Sequence, residues 1–122
     1  MSISNPNPID KGRQGEDVAR AHLMRRGYSI LAANYHSPFG EIDIIARDGA
    51  YIVFVEVKYR KNTGHSLPRE AVNPGKQRKI IKTALHYITE NTIINEGFRF
   101  DVIEVTGTNT FTVTHIENAF SC

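Results

Sequence analysis

A chain of 122 residues and 13.7 kDa, 40% hydrophobic and 23% charged, has the size and balance of one globular domain, which excludes a wholly disordered or low-complexity polymer. No run approaches the ~18 apolar residues of a membrane span, and the first 25 residues hold no apolar secretory core, so a cytoplasmic protein without membrane association is expected. The formal net charge is only +2, and the single cysteine, Cys122, excludes a disulfide framework and a cysteine-based zinc site.

In chain order, residues 1–9 (MSISNPNPI) lack periodicity and are expected as a flexible tail, leaving 10–122 as one domain. Asp10 is placed to cap a helix running to about Arg26 and closed by Gly27, with Ala19 and Leu23 on its apolar stripe. Tyr28 to Ala33 reads as a strand and Ser37-Pro38-Phe39-Gly40 as a turn. Glu41 to Arg47 and Ala50 to Tyr59 are strand-like runs around Asp48-Gly49, a dipeptide that favours a type I′ hairpin. The second run is apolar on both faces, the pattern of a central strand covered on both sides.

Asn62 to Asn73 is a polar loop. Asn73 as N-cap and Pro74 at the first helical position start a second helix that ends near Asn91, with Ile80, Ile81, Ala84, Leu85 and Ile88 as its core stripe. Phe98 to Val105 and Phe111 to Ile116 form a second hairpin. The expected fold class is α/β, a mixed sheet of about five strands flanked by helices.

Charge is unevenly spread. Residues 57–82 carry Lys58, Arg60, Lys61, Arg69, Lys76, Arg78, Lys79 and Lys82 against Glu70 alone, and the rest of the chain is net acidic. A basic block of this kind suits a nucleic-acid backbone and equally a solvated helix face. Arg60, Lys61, Lys76, Arg78, Lys79 and Lys82 are the expected phosphate contacts, which hold a backbone without reading bases.

With Asp48-Gly49 as a two-residue loop, Asp43 lies opposite Phe54 and Glu41 opposite Glu56. Alternation then puts Glu41, Asp43, Glu56 and Lys58 on one face, with Asp43 and Glu56 as diagonal neighbours. Like charges facing each other destabilise a sheet, and a divalent cation relieves the conflict, since hard oxygen donors suit Mg2+ or Mn2+. The expected ligands are Asp43, Glu56 and the Val57 carbonyl, with Lys58 placed to orient or deprotonate a water attacking a phosphodiester. The plainer reading is a Glu56–Lys58 or Asp43–Lys58 ion pair at a sheet edge. The shared face, the apolar strand before Glu56 and the basic block after it favour the site.

Glu16 borders the buried stripe of the first helix, where it is aimed at the same carboxylates as a further metal ligand or simply stabilises the helix N-terminus. Gln77, at the start of the second helix, reaches either the scissile phosphate or open surface. The five histidines show no zinc spacing, and Asp101 is expected as a structural partner of a basic residue.

Lys11-Gly12-Arg13-Gln14-Gly15-Glu16-Asp17, Gly40-Glu41-Ile42-Asp43-Ile44-Ile45-Ala46 and Val53-Phe54-Val55-Glu56-Val57-Lys58-Tyr59-Arg60 resemble the YraN family of predicted endonucleases. So do Ala71-Val72-Asn73-Pro74-Gly75-Lys76-Gln77, Arg99-Phe100-Asp101-Val102 and Asn118-Ala119-Phe120, in the right order from about residue 11 to 120. The family looks like a branch of the PD-(D/E)xK nuclease superfamily, similar to archaeal Holliday-junction resolvases. The resemblance implies a restriction-endonuclease-like fold and a Mg2+-dependent (or Mn2+-dependent) endonuclease acting on DNA rather than RNA, including branched or structured DNA. It makes Asp43 and Glu56 metal ligands, Lys58 the catalytic lysine, Glu16 the acidic residue of the first helix and Gln77 the polar residue opening the second. Ile42 stands where the superfamily pattern has proline. Analogy with resolvases adds the expectation of a homodimer. The competing expectation is a nucleic-acid-binding accessory module that keeps the fold without cleaving.

Overall fold

The computed structural model describes residues 11–61 and 72–122; the expected tail, the Asp10 cap and most of the polar loop lie outside them. Helix α1 (Lys11–Arg25) is followed by strands β1 (Ser29–Ser37), β2 (Gly40–Asp48) and β3 (Tyr51–Arg60), helix α2 (Pro74–Glu90), and strands β4 (Gly97–Thr106) and β5 (Thr112–Phe120). The strands form one five-stranded sheet in the order β1-β2-β3-β4-β5, antiparallel throughout except for the β3–β4 pair. This is the mixed sheet flanked by helices that the sequence predicts.

Burial divides the core by sheet face. Ala19 and Leu23 of α1 pack with Ile44, Val53, Val55, Ile103 and Val105, while Ile80 and Ala84 of α2 pack with Ile45, Ile52, Phe54, Phe100 and Val102. The doubly apolar β3 is thus covered on both sides, as parallel-paired strands are. Helix α2 starts as expected, with the Asn73 side chain accepting from the Lys76 N–H at 2.8 Å and Pro74 following. Its buried stripe is Ile80, Thr83 and Ala84; Leu85, expected inside, is 54% exposed. Leu85 lies one residue, about 100°, round the helix from Ala84, which turns it to solvent.

Two strands outrun their predicted ends. β1 continues to Ser37 across a register shift between Ile30 and Ala32 and a left-handed Asn34 (φ 51°), and β5 continues to Phe120 across a similar irregularity at Asn118 (φ 53°). Both irregularities break the two-residue period on which strand recognition depends.

The first hairpin departs from its predicted register. Asp48 pairs with Tyr51, so Gly49 and Ala50 form the loop in place of Asp48 and Gly49. Gly49 has φ +59° and Ala50 has no positive φ, which fits a turn with glycine at the first loop position, as type II′ requires, and not the I′ form. Partners change by two residues, from Phe54 to Glu56 opposite position 43 when the register is extended by one pair. A two-residue change preserves the face, whereas a single slip would have inverted it.

On the α1 face a buried ionic network ties β4 to β5. Arg99 donates to both Asp101 carboxylate oxygens at 3.0 Å, His115 Nε2 lies 2.8 Å from Asp101 Oδ2, and the Asn118 N–H donates to Oδ1 at 2.9 Å. Burial alone would raise the Asp101 pKa, but the hydrogen bonds from His115, Arg99 and Asn118 outweigh it and hold it below the usual carboxylate range. That contribution to stability is present at neutral pH and is lost as pH falls below the ordinary value of 3.8. Asp101→Asn is expected to cost about 3–5 kcal/mol at neutral pH, a deficit that shrinks in acid as the wild type loses the same interactions; urea denaturation at a series of pH values measures both.

Candidate metal and phosphodiester site

The site forms where β2 and β3 part. Their ladder stops at the Ile44–Val55 pair, although β2 begins at Gly40 and β3 runs to Arg60. In the gap the Val57 N–H donates to Asp43 Oδ2 at 2.7 Å, so a side-chain carboxylate replaces a ladder carbonyl. The N–H and C=O of one extended residue point to the same side of the strand, so the Val57 carbonyl opens on this gap as well. Alternation fails across Asp43: Ile44 packs in the α1 cluster and Ile42, two residues away, in the α2 cluster. The carboxylate therefore sits at the junction of the two layers, not plainly on one face.

Glu56 meets Asp43 there, and is 8% exposed. Burial first, and then the Glu56 charge, push the Asp43 carboxyl up to about 7; Glu16 adds to the rise, and the Val57 hydrogen bond opposes it. Glu16 reaches the cluster from α1, its own pKa raised chiefly by burial while a hydrogen bond from the Asn34 side chain holds it down. Gly15, one residue earlier, makes that approach possible: a Cβ there would lie 3.3 Å from the Tyr59 Cβ of β3.

From the other layer, the Lys76 ammonium of α2 forms an ion pair with Glu56. Burial would lower its pKa, but the hydrogen bond and charge of Glu56, with the charges of Asp43 and Glu41, raise it. Neither expected lysine-58 pair forms. Lys58 is exposed two residues beyond Glu56, and no side-chain hydrogen bond or ion pair engages it among the described residues. Glu41, predicted opposite Glu56, is instead exposed beside His36, with Nδ1–Oε2 at 3.3 Å, because the register differs.

The remaining predicted residues are dispersed. The Gln77 side chain donates to the Val72 carbonyl at 2.9 Å and so braces the entry to α2. Arg60 pairs with the buried Glu104, which alternation alone does not single out. Lys61, Arg78, Lys79 and Lys82 are exposed. Lys79 and Lys76 line a cavity of about 410 Å³ with Gly40, Glu41, Asn73 and Gly75, at the start of α2. The β1–β2 turn is fastened beside it, with Ser37 Oγ 3.4 Å from Thr83 Oγ1. Lys76 is the residue that sequence reasoning misplaced, as a phosphate contact alone. The signal was available: it stands four residues before the buried Ile80, on the same side of the helix.

Among the described residues no three His, Cys, Asp or Glu side chains form a metal cage. Two carboxylates and a backbone carbonyl nevertheless match Mg2+, which usually takes one or two carboxylates and keeps several waters. One cationic group already rests at this site, the Lys76 ammonium paired with Glu56. No described helix is long and apolar enough to cross a membrane.

The family described as uncharacterised protein family UPF0102 matches residues 15–105, and the chain belongs to it. A UPF0102 protein of Persephonella marina is 47% identical over 110 residues, 90% of this chain and 92% of its own. One from Geobacter sulfurreducens is 45% identical over 111 residues, 89% of this chain and 87% of its own. Among solved structures, the Holliday junction resolvase Hjc of the hyperthermophile Archaeoglobus fulgidus is similar at 18% identity and a TM-score of 0.47, over 87% of this chain and 76% of that one.

The Asp43 carboxyl binds its proton more tightly folded than unfolded, so it contributes stability in acid that is lost as pH rises from its ordinary 3.8 to about 7. Asp43→Asn keeps an oxygen for the Val57 N–H and removes the charge. In EDTA the variant is expected to melt above the wild type at neutral and higher pH, with the gain vanishing in acid, in thermal melts across that window.

Proposed function

We propose that the protein is a Mg2+-dependent endonuclease, also served by Mn2+, that hydrolyses phosphodiester bonds in DNA, branched or structured DNA included. The observation that carries this reading is the Asp43–Glu56 pair, two carboxylates pressed together at a parting of strands and flanked by lysines. Asp43, Glu56 and the Val57 carbonyl would hold the ion, with Glu16 behind Asp43. A divalent ion held there supplies a water of lowered pKa and charge stabilisation of the phosphoryl oxygens.

Lys58, exposed two residues beyond Glu56 and free of side-chain partners among the described residues, holds a non-bridging phosphate oxygen and orients the attacking water. Gln77 keeps the first turn of α2 beside that phosphate through its bond to Val72. Lys61, Arg78, Lys79 and Lys82 neutralise flanking phosphates, which gives sequence-independent, salt-sensitive affinity. A homodimer would present two such sites to the two strands of a junction.

Purified protein with Mg2+ or Mn2+ is expected to nick supercoiled, flap or four-way-junction DNA. Asp43→Ala, Glu56→Ala and Lys58→Ala should each lose roughly 100-fold or more in rate. Salt-dependent binding without product, for the wild type in both metals, would establish the accessory-module reading instead.

A further inference from the structure

We propose that Lys76 is a built-in counterion of the carboxylate pair, which the divalent cation displaces from Glu56, and that the released ammonium then joins Lys79 as a phosphate contact. The inference rests on the reading that Asp43 and Glu56 take a divalent cation. Glu56 and Lys76 differ sharply in freedom: the Glu56 side chain is 9% exposed, whereas that of Lys76 is 48% exposed. The carboxylate is fixed on β3 within the sheet, and the ammonium is carried in from the first turn of α2 on a flexible four-carbon stem.

Charge decides which cation stays. Two ionised carboxylates are neutralised by one divalent ion, which cancels much of the attraction holding the ammonium and competes with it for the Glu56 oxygens, while the charges of Glu16 and Glu41 remain to keep the released ammonium nearby. Without the ion, Glu56 would be a buried carboxylate with no cation beside it, which is costly, and Lys76 supplies one. The 410 Å³ cavity at the start of α2 gives the displaced side chain somewhere to go, since Lys76 and Lys79 already line its wall. A DNA phosphate entering that cavity would meet two ammonium groups once the ion is bound and one before it. Ion and nucleic acid would therefore strengthen each other's binding, and by the same factor.

Manganese titration calorimetry without DNA, on the wild type, Lys76→Met and Asp43→Asn, tests the exchange. Lys76→Met keeps the length of the stem and removes the competing charge. It is expected to bind Mn2+ roughly 10-fold more tightly than the wild type, and to gain more in melting temperature on adding Mn2+. Equal or weaker Mn2+ affinity in Lys76→Met, beside a wild type that binds, overturns the exchange and leaves the metal site standing. A wild type with no Mn2+ binding sensitive to Asp43→Asn overturns the metal site, and the exchange with it. A measurement on the unaltered chain guards against a variant that fails to fold: acylation of Lys76 by an amine-reactive reagent, read by mass spectrometry. Mn2+ should speed the modification of Lys76 relative to Lys79; an unchanged or slower rate argues against displacement.

Discussion

Everything at the candidate site depends on one substitution of partners: a side-chain carboxylate accepts a backbone N–H where a strand ladder would otherwise continue. Asp43 receives the Val57 N–H in this way, which holds the parting of β2 and β3 open and keeps the carboxylate against Glu56. The chain uses the same device once more, at Asp101, which receives the Asn118 N–H where β4 and β5 fall out of register. The two aspartates differ in what surrounds them. Asp101 is met by Arg99 and His115, and its ionised form is favoured. Asp43 is met by two glutamates, and its ionised form is resisted. An aspartate whose charge is satisfied is part of the scaffold; one whose charge is opposed is a candidate for function.

The layers explain how four elements contribute to so small a volume. β3 lies at the centre of the sheet with both faces covered, so its far end is approached by α1 on one side and α2 on the other. Glu16 arrives from the first, Lys76 from the second, and Asp43 stands between them because the backbone of β2 loses its alternation there. The apolar residues that come before Glu56 on β3 fix that strand rigidly, and the polar groups are left at its exit. Packing and chemistry are thereby separated along a single strand.

Much of this was legible in the residues themselves. The carboxylates at 43 and 56, the two-sided apolar strand and the Asn73-Pro74 helix start each follow from local rules that the fold obeys. The hairpin differs from its predicted form by one loop residue, since Asp48-Gly49 favours one turn type and Gly49-Ala50 adopts another; Asp43 and Glu56 still meet because the partners move by two, although the alternation that would put them on one face fails at Asp43. The strand ends beyond Asn34 and Asn118 are invisible to a period of two, as each is a left-handed residue inside a strand. Lys76 escaped because charge composition groups it with the exposed lysines around it, while its helical position one turn ahead of Ile80 sets it apart. The pairing of Arg60 with Glu104 needs the parallel β3–β4 register, a contact between distant segments that no local pattern carries.

The irregular residues of β1 and β5 have a consequence of a different kind. In an open five-stranded sheet these two strands form the outer borders, each presenting a row of backbone groups to which a strand from another molecule would add. A left-handed asparagine and a shift in pairing interrupt both borders, so neither offers an unbroken template. The features that hid the true strand lengths from the sequence thus also guard the protein against edge-to-edge aggregation.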